Sequence, residues 1–439
     1  MARQTKKGIT VHKTLHMKNA FVTAMAYTFR KKPVLTELVW SGYDGGGNFE
    51  TGNLLRRRST DNGRNWTVLP DAQAGGLFGR SEERRGNRLV KRSAGGGCLH
   101  FLAEPGVVIQ FEVETESAIS ESMSFGPEAE TQEHLEFRTG RIFYRLSRDD
   151  GKSWSEAKQV IQKGGDYDAT HWANGLWYGK NGCFLTGLTL PIQLRDGALL
   201  APVHYYRLDD KGAMIKWPDR FGTLIWPISA AACLRGEWNA ARGDFEWEMS
   251  SPVTAPEYVT HGLDECEIAE ADDGKLMMII RGCAAGWQSF SGVKFYSISK
   301  DKGRTWGPPV PLTYPDGSFV HSPACLPNLF RSSKNGKLYV IANILPGPCR
   351  QSDPRYPLAI AEVDPKYYWV LPETVTVIDD RQPRHPQGVR FSNWQRIEDR
   401  ETGNPVIFMT EMRYDSLFPD TKGTIIPHAY RYEIELPNA

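Results

Sequence analysis

One octapeptide recurs three times in the chain. It reads Ser59-Thr60-Asp61-Asn62-Gly63-Arg64-Asn65-Trp66, then Ser147-Arg148-Asp149-Asp150-Gly151-Lys152-Ser153-Trp154, then Ser299-Lys300-Asp301-Lys302-Gly303-Arg304-Thr305-Trp306. The shared pattern is Ser-x-Asp-x-Gly-x-x-Trp, and three full matches in one chain mark a repeat architecture. Its chemistry is that of a hairpin turn. The Asp carboxylate accepts from backbone N–H groups just ahead of it, the Gly takes positive φ, and the Trp packs back under the turn.

A second periodic feature runs through the chain. Arg195-Asp196-Gly197-Ala198-Leu199-Leu200, Asp272-Asp273-Gly274-Lys275-Leu276-Met277 and Lys334-Asn335-Gly336-Lys337-Leu338-Tyr339 each place a turn before an apolar run, and Thr402-Gly403-Asn404-Pro405-Val406 is a looser copy. An apolar run also precedes each turn, which predicts β-hairpins. Helical periodicity is absent, so the chain reads as all-β.

The octapeptide resembles the Asp-box (BNR repeat) of the sialidase superfamily, where it joins the two outer strands of a propeller blade. The resemblance implies a single propeller domain over residues 1–439, of six blades, with seven as the alternative. The expected blades cover about 19–70, 97–160, 171–250, 260–312, 321–376 and 386–437, with the two chain ends meeting to close the ring. Arg242-Gly243-Asp244-Phe245-Glu246-Trp247 and Glu362-Val363-Asp364-Pro365-Lys366-Tyr367-Tyr368-Trp369 fall where further boxes are expected. The resemblance puts these turns on the rim, so Asp61, Asp149 and Asp301 are expected to be structural.

A 439-residue chain with 40% apolar and 11% aromatic residues, 13 of them Trp, can build such a core and a carbohydrate-binding surface. The formal net charge of +1 supplies no drive towards nucleic acid or an anionic membrane. No apolar run reaches transmembrane length. The basic start Met1-Ala2-Arg3-Gln4-Thr5-Lys6-Lys7 has no apolar segment behind it, so a cytoplasmic location is expected unless a leader has been removed. Seven singly spaced Cys give neither zinc spacing nor a disulfide framework. No cofactor or metal is expected, and His12-x-x-x-His16 is read as incidental. Two stretches read as insertions: an acidic loop at about 112–136 and a Gly/Arg-rich connector at 71–97.

Candidate chemistry gathers where inner strands begin and end. In Asp264-Glu265-Cys266-Glu267 through Leu276-Met277-Met278-Ile279-Ile280-Arg281, a Glu opens one strand and an Arg closes the next, sixteen residues later. This resembles the sialidase segment in which the Arg grips the substrate carboxylate and the Glu supports catalysis, which assigns Arg281 and Glu265 to those roles. Arg355, with Arg350 as runner-up, fits the family's second carboxylate-binding position in Asn343 through Leu358. Arg30 is the nearest match to the first such Arg. Asp44, the only Asp between Arg30 and the first octapeptide, is the candidate acid/base. Paired guanidiniums suit a carboxylate because each offers a planar pair of donors.

The last blade departs from the family. Arg390-Phe391-Ser392-Asn393-Trp394-Gln395 contains no Tyr, whereas sialidases use a Tyr nucleophile. Three functions follow. The favoured one is hydrolysis of a terminal acidic sugar, sialic or uronic, from a glycan. The second is a polysaccharide lyase on uronic-acid glycans with His171, His204 or a Tyr as base and Tyr205 at the substrate. The third is a non-catalytic glycan-binding propeller. The partner in every case is an acidic glycan.

Overall fold

The computed structural model describes residues 5–6, 8–42, 53–69, 80–94, 99–102, 105–118, 138–185, 190–216, 227–256, 259, 262–283, 291–349, 352–386, 388–413 and 427–439. Their regular structure is β, with a single 3₁₀ turn at Pro372–Thr374. Among the described residues no helix is long and apolar enough to cross a membrane.

The strands form antiparallel sheets in chain order. The first holds Ala20–Tyr27, Leu35–Ser41, Asn53–Ser59 and Thr67–Val68; the second is built on Leu99–Phe101, Val108–Ala118, Arg138–Ser147 and Lys158–Gln159. The third centres on Leu199–Tyr206 and Ser229–Asn239, and the fourth runs Gly262–Glu270, Leu276–Cys283, Lys294–Ser299, Val310–Pro311; a parallel pair at Ser229 and Gly262 joins these two into one ten-stranded sheet. Asn328–Arg331, Leu338–Asn343, Leu358–Val363 and Thr376–Asp379 make the fifth. The last combines Gln395–Glu398 and Val389–Phe391 with Pro405–Arg413 and Ala429–Glu435, and takes Ile9–Met17 as its outer strand. The two chain ends therefore meet in one sheet, as expected, but through a strand that lies ahead of the first expected blade, which was to begin at about 19.

The core sits between neighbouring sheets. Phe111 and Trp247 pack the second sheet on the third, Leu200 and Ile268 the third on the fourth, and Ile279 and Val340 the fourth on the fifth. Phe330 and Ile407 join the fifth to the last, Val39 and Phe408 join the last back to the first, and Leu38 and Val108 join first to second. Central strands such as Leu276–Cys283 and Leu338–Asn343 are thus apolar on both faces, which continuous runs such as Met277-Met278-Ile279-Ile280 supply. This is the all-β propeller architecture.

The octapeptides connect third and fourth strands of the first, second and fourth sheets. In the first, the Asp61 carboxylate accepts from the Asn65 N–H at 2.9 Å, and the Trp66 indole N–H donates to the Gly63 carbonyl at 3.0 Å. The serine does work the sequence reading did not assign: the Ser59, Ser147 and Ser299 hydroxyls accept from the Gly63, Gly151 and Gly303 N–H groups at 2.8–2.9 Å. Two successive residues, such as Lys302 at φ +61° and Gly303 at +84°, take the left-handed conformation. In the fifth sheet Asp364 accepts from the N–H groups of Lys366 and Tyr367, so the decayed turn keeps the Asp role.

Two expectations need correction. The acidic insertion does not begin at 112, because residues 112–118 continue the Val108–Ala118 strand. There the alternating Glu112, Glu114 and Glu116 face Arg145, Arg141 and Arg88 at 2.7–3.0 Å; period-two acids opposite a basic strand make a ladder, not a loop. Residues 119–137 lie outside the described residues. The 71–97 connector contains a hairpin, Arg80–Arg85 with Arg88–Ser93, paired to the far half of that same long strand. His12 and His16 lie on a strand and part company: His12 meets Glu435, whereas His16 meets the buried Glu37 at 2.7 Å.

Candidate functional site

The fourth sheet supplies the centre of the site. Asp264 pairs with Arg281 and Cys266 with Ile280, leaving Glu265 as the extra residue of a β-bulge. Glu265 adopts φ +35°, a left-handed conformation that non-glycine residues seldom take. The bulge sends the Cys266 thiol back between the third and fourth sheets, 3.4 Å from the Val203 carbonyl. It turns the Glu265 carboxylate towards Arg281, whose Nη1 donates to Oε2 at 2.6 Å, while Arg281 Nε lies 3.6 Å from the Asp264 carboxylate.

Burial alone would raise the Glu265 pKa. The charge and hydrogen bond of Arg281, followed by the charges of His204 and Arg355, outweigh it and hold the carboxyl below its ordinary 4.5. Glu265, Arg281, His204 and Arg355 therefore share one electrostatic neighbourhood. His204 arrives from the C-terminal end of the Leu199–Tyr206 strand. Arg355 arrives from a loop between two cis peptide bonds, Asp353–Pro354 and Tyr356–Pro357.

Arg355 is held in place by its neighbours. Its Nε donates to the Ser352 carbonyl at 2.9 Å and its Nη1 to the Ser392 hydroxyl at 3.0 Å, while its own carbonyl accepts the Phe391 N–H. Beside it Arg390, 6% exposed, clasps Asp353 through Nε at 2.8 Å and Nη2 at 2.5 Å. The arrangement thus carries three arginines, with two aspartates and one glutamate spaced among them. Arginines with fixed forks at one spot can receive a carboxylate-bearing ligand, and an ionised carboxylate with a histidine nearby can accept or pass a proton.

The remaining predicted residues go elsewhere. Arg30 turns to the rim and pairs with Asp150 of the second octapeptide at 3.1 Å. His171 stacks on Trp177 with ring centroids 3.8 Å apart, in a small hairpin with Trp177. Tyr205, next to His204 but on the opposite strand face, packs into the core between the second and third sheets. Asp44 and Arg350 lie outside the described residues. The sequence does not single out Arg390, Asp353 or Ser392, whose contacts with one another and with Arg355 cross between sheets.

Fold and site together define a β-propeller of Asp-box repeats with an arginine-rich site beside a bulged glutamate. The chain belongs to the BNR repeat-like domain family, whose model matches residues 123–425. Its fold is that of solved sialidase-superfamily structures. The intramolecular trans-sialidase from Ruminococcus gnavus, in complex with oseltamivir carboxylate, is 13% identical over 94% of both chains with a TM-score of 0.54. A protein of unknown function from Dyadobacter fermentans is 13% identical over 99% of both chains, at 0.53. The NanB sialidase from Streptococcus pneumoniae is 11% identical over 98% of this chain and 70% of its own, at 0.52. No curated protein matches the sequence.

Proposed function

We propose that this chain is a sialidase-like exo-glycoside hydrolase whose substrate ends in an acidic sugar, sialic or uronic, and that its propeller has six blades. The packing of each sheet on the next, and of the last on the first, supports the blade number. The observation that carries the function is the ion pair of Arg281 with the bulged Glu265, whose carboxylate also feels the charge of Arg355. In this reading Arg281 and Arg355 hold the substrate carboxylate, and Arg390 fixes the loop that presents Arg355. Glu265, kept ionised, supports or acts as the base, and Asp44 is the acid/base. One neighbour in fold was solved with a carboxylate ligand, which is in keeping with this assignment.

A second reading, β-elimination on a uronic-acid glycan, draws on His204, whose charge reaches Glu265. Product masses separate the two after incubation with sialylated and uronic-acid oligosaccharides. Fragments whose summed mass has gained one water mean hydrolysis. Unchanged summed mass with a new double bond means elimination and moves the base to His204. Arg281→Ala is expected to abolish binding of the acidic sugars, and unchanged affinity in that variant defeats the site assignment.

A further inference from the structure

The Leu199–Tyr206 strand carries His204 at one end; at its other end lies a separate open groove of about 540 Å³. Roughly 17 Å of strand separates Leu199 from His204, so the groove opens on the rim that bears the octapeptide turns. It is lined by Asp196 and Ala198 of the turn before the strand, by Arg235, Glu237 and Trp238 of the Ser229–Asn239 strand, and by Pro105 from the second sheet. Alternation puts Glu237 and Trp238 on opposite faces of their strand, and the groove takes in both by bending round the strand's end.

The lining is preorganised. Asp196 is held by Lys302 at 2.8 Å and by Arg235 at 3.4 Å. Glu237 is held by Arg304 at 2.7 Å and by Arg235 at 3.1 Å. Arg235 is itself only 3% exposed and also donates to the Lys302 carbonyl at 3.0 Å. Trp238 is half-buried, with its ring set edge-on to Phe245 at 5.1 Å and Arg148 over it at 5.6 Å.

These features select a ligand chemistry. Both carboxylates are already neutralised by cations, which removes the drive to take up a cationic ligand. The cations are likewise each engaged by a carboxylate, so an anionic ligand finds no unpaired partner either. Fixed carboxylate acceptors beside a guanidinium donor and an aromatic ring suit a neutral polyol whose hydroxyls reach the charges and whose C–H face lies on the indole. We propose that this groove is a second glycan-binding site, specific for a neutral pyranose, on the face opposite the Glu265 site. It would hold the uncharged part of a glycan independently of any chemistry at Arg281.

The test is a titration of the intact protein with lactose, cellobiose and maltose, followed by saturation-transfer NMR. At least one disaccharide is expected to bind saturably. Trp238→Ala and Glu237→Gln, each checked for an unchanged melting profile, are expected to weaken that binding about tenfold or more, a loss of about 1.4 kcal/mol. Arg281→Ala is expected to leave it unchanged. Saturable binding by none of the three sugars overturns the proposal, as does binding that survives either groove variant. Loss of binding in Arg281→Ala also overturns it, by assigning the sugar to the other site.

Discussion

Glu267 allows a direct measurement of how the centre of the propeller is held. It lies on the Gly262–Glu270 strand, 3% exposed, two residues beyond the bulge. Its Oε1 accepts from the Leu190 N–H and the Asn328 amide, both at 3.2 Å. Asn328 in turn accepts the Trp394 indole N–H at 2.5 Å. Burial raises the Glu267 pKa from 4.5 to about 8, and the charge of Arg396 with the two hydrogen bonds recovers only part of that. A carboxyl whose folded pKa lies above its unfolded value binds more protons folded than unfolded. Its contribution is therefore fully present below about pH 4.5 and lost as pH rises towards 8. At about 1.4 kcal/mol per pH unit the ceiling is on the order of 5 kcal/mol. Glu267→Gln copies the protonated acid, so the variant keeps this stability at all pH values. Denaturant unfolding at pH 5 to 9 should show the variant-minus-parent difference growing by about 1 kcal/mol per unit and levelling above about 8. The comparison is needed because His100, half-buried with its pKa lowered to about 4 by desolvation, has the opposite slope between 4 and 6.5 and is present in both proteins. A difference that stays flat across this range refutes a neutral Glu267.

Two further substitutions probe the backbone. Gly262 and Gly274 both take φ near +80°, but a Cβ on Gly262 would lie 2.1 Å from the Ser229 carbonyl oxygen, whereas one on Gly274 meets nothing within 4 Å. Gly274→Ala should cost about 1–2 kcal/mol for the conformation alone, and Gly262→Ala more than about 4 kcal/mol or all soluble protein; equal melting losses would show that the third and fourth sheets can part at Ser229. Ser299→Ala removes the acceptor of the Gly303 N–H at a position 1% exposed, and should cost about 1–3 kcal/mol in denaturant unfolding. No measurable loss would mean that the carboxylate of Asp301 alone sets the turn.

The architecture was legible because it is written in local chemistry. Turn residues and apolar runs recur, and they placed the boxes, the hairpins and most sheet boundaries without reference to distant contacts. What escaped was non-local. Ile9–Met17 becomes a strand only because Ala429–Glu435 offers it an edge. Glu112, Glu114 and Glu116 look like a solvated acidic stretch until the arginines opposite them are known. In the site, Glu265 and Arg281 could be named from one hairpin, but the Arg390–Asp353 clasp joins residues from different sheets and has no signature within either segment. Arg30 and Tyr205 failed for a simpler reason. Each neighbours a relevant segment, yet Arg30 is drawn to Asp150 and strand alternation turns Tyr205 into the core.

The bulge at Glu265 makes the site's conformational cost measurable. A glutamate at φ +35° carries a left-handed penalty of about 1–2 kcal/mol, and it persists because Arg281 and the flanking register hold it. In an ordinary strand Ala is better than Gly by about 0.5–1 kcal/mol. At position 265 the order should reverse, because Gly adopts the bulge without strain whereas Ala keeps the penalty and, like Gly, loses the ion pair. Glu265→Gly is thus expected to be more stable than Glu265→Ala by about 1 kcal/mol. Denaturant midpoints of the two give the answer. If Ala proves the more stable, the backbone relaxes once the carboxylate is gone, and the Arg281 contact creates the bulge. If Gly wins, the register imposes the bulge and the carboxylate is presented to Arg281 by the fold itself.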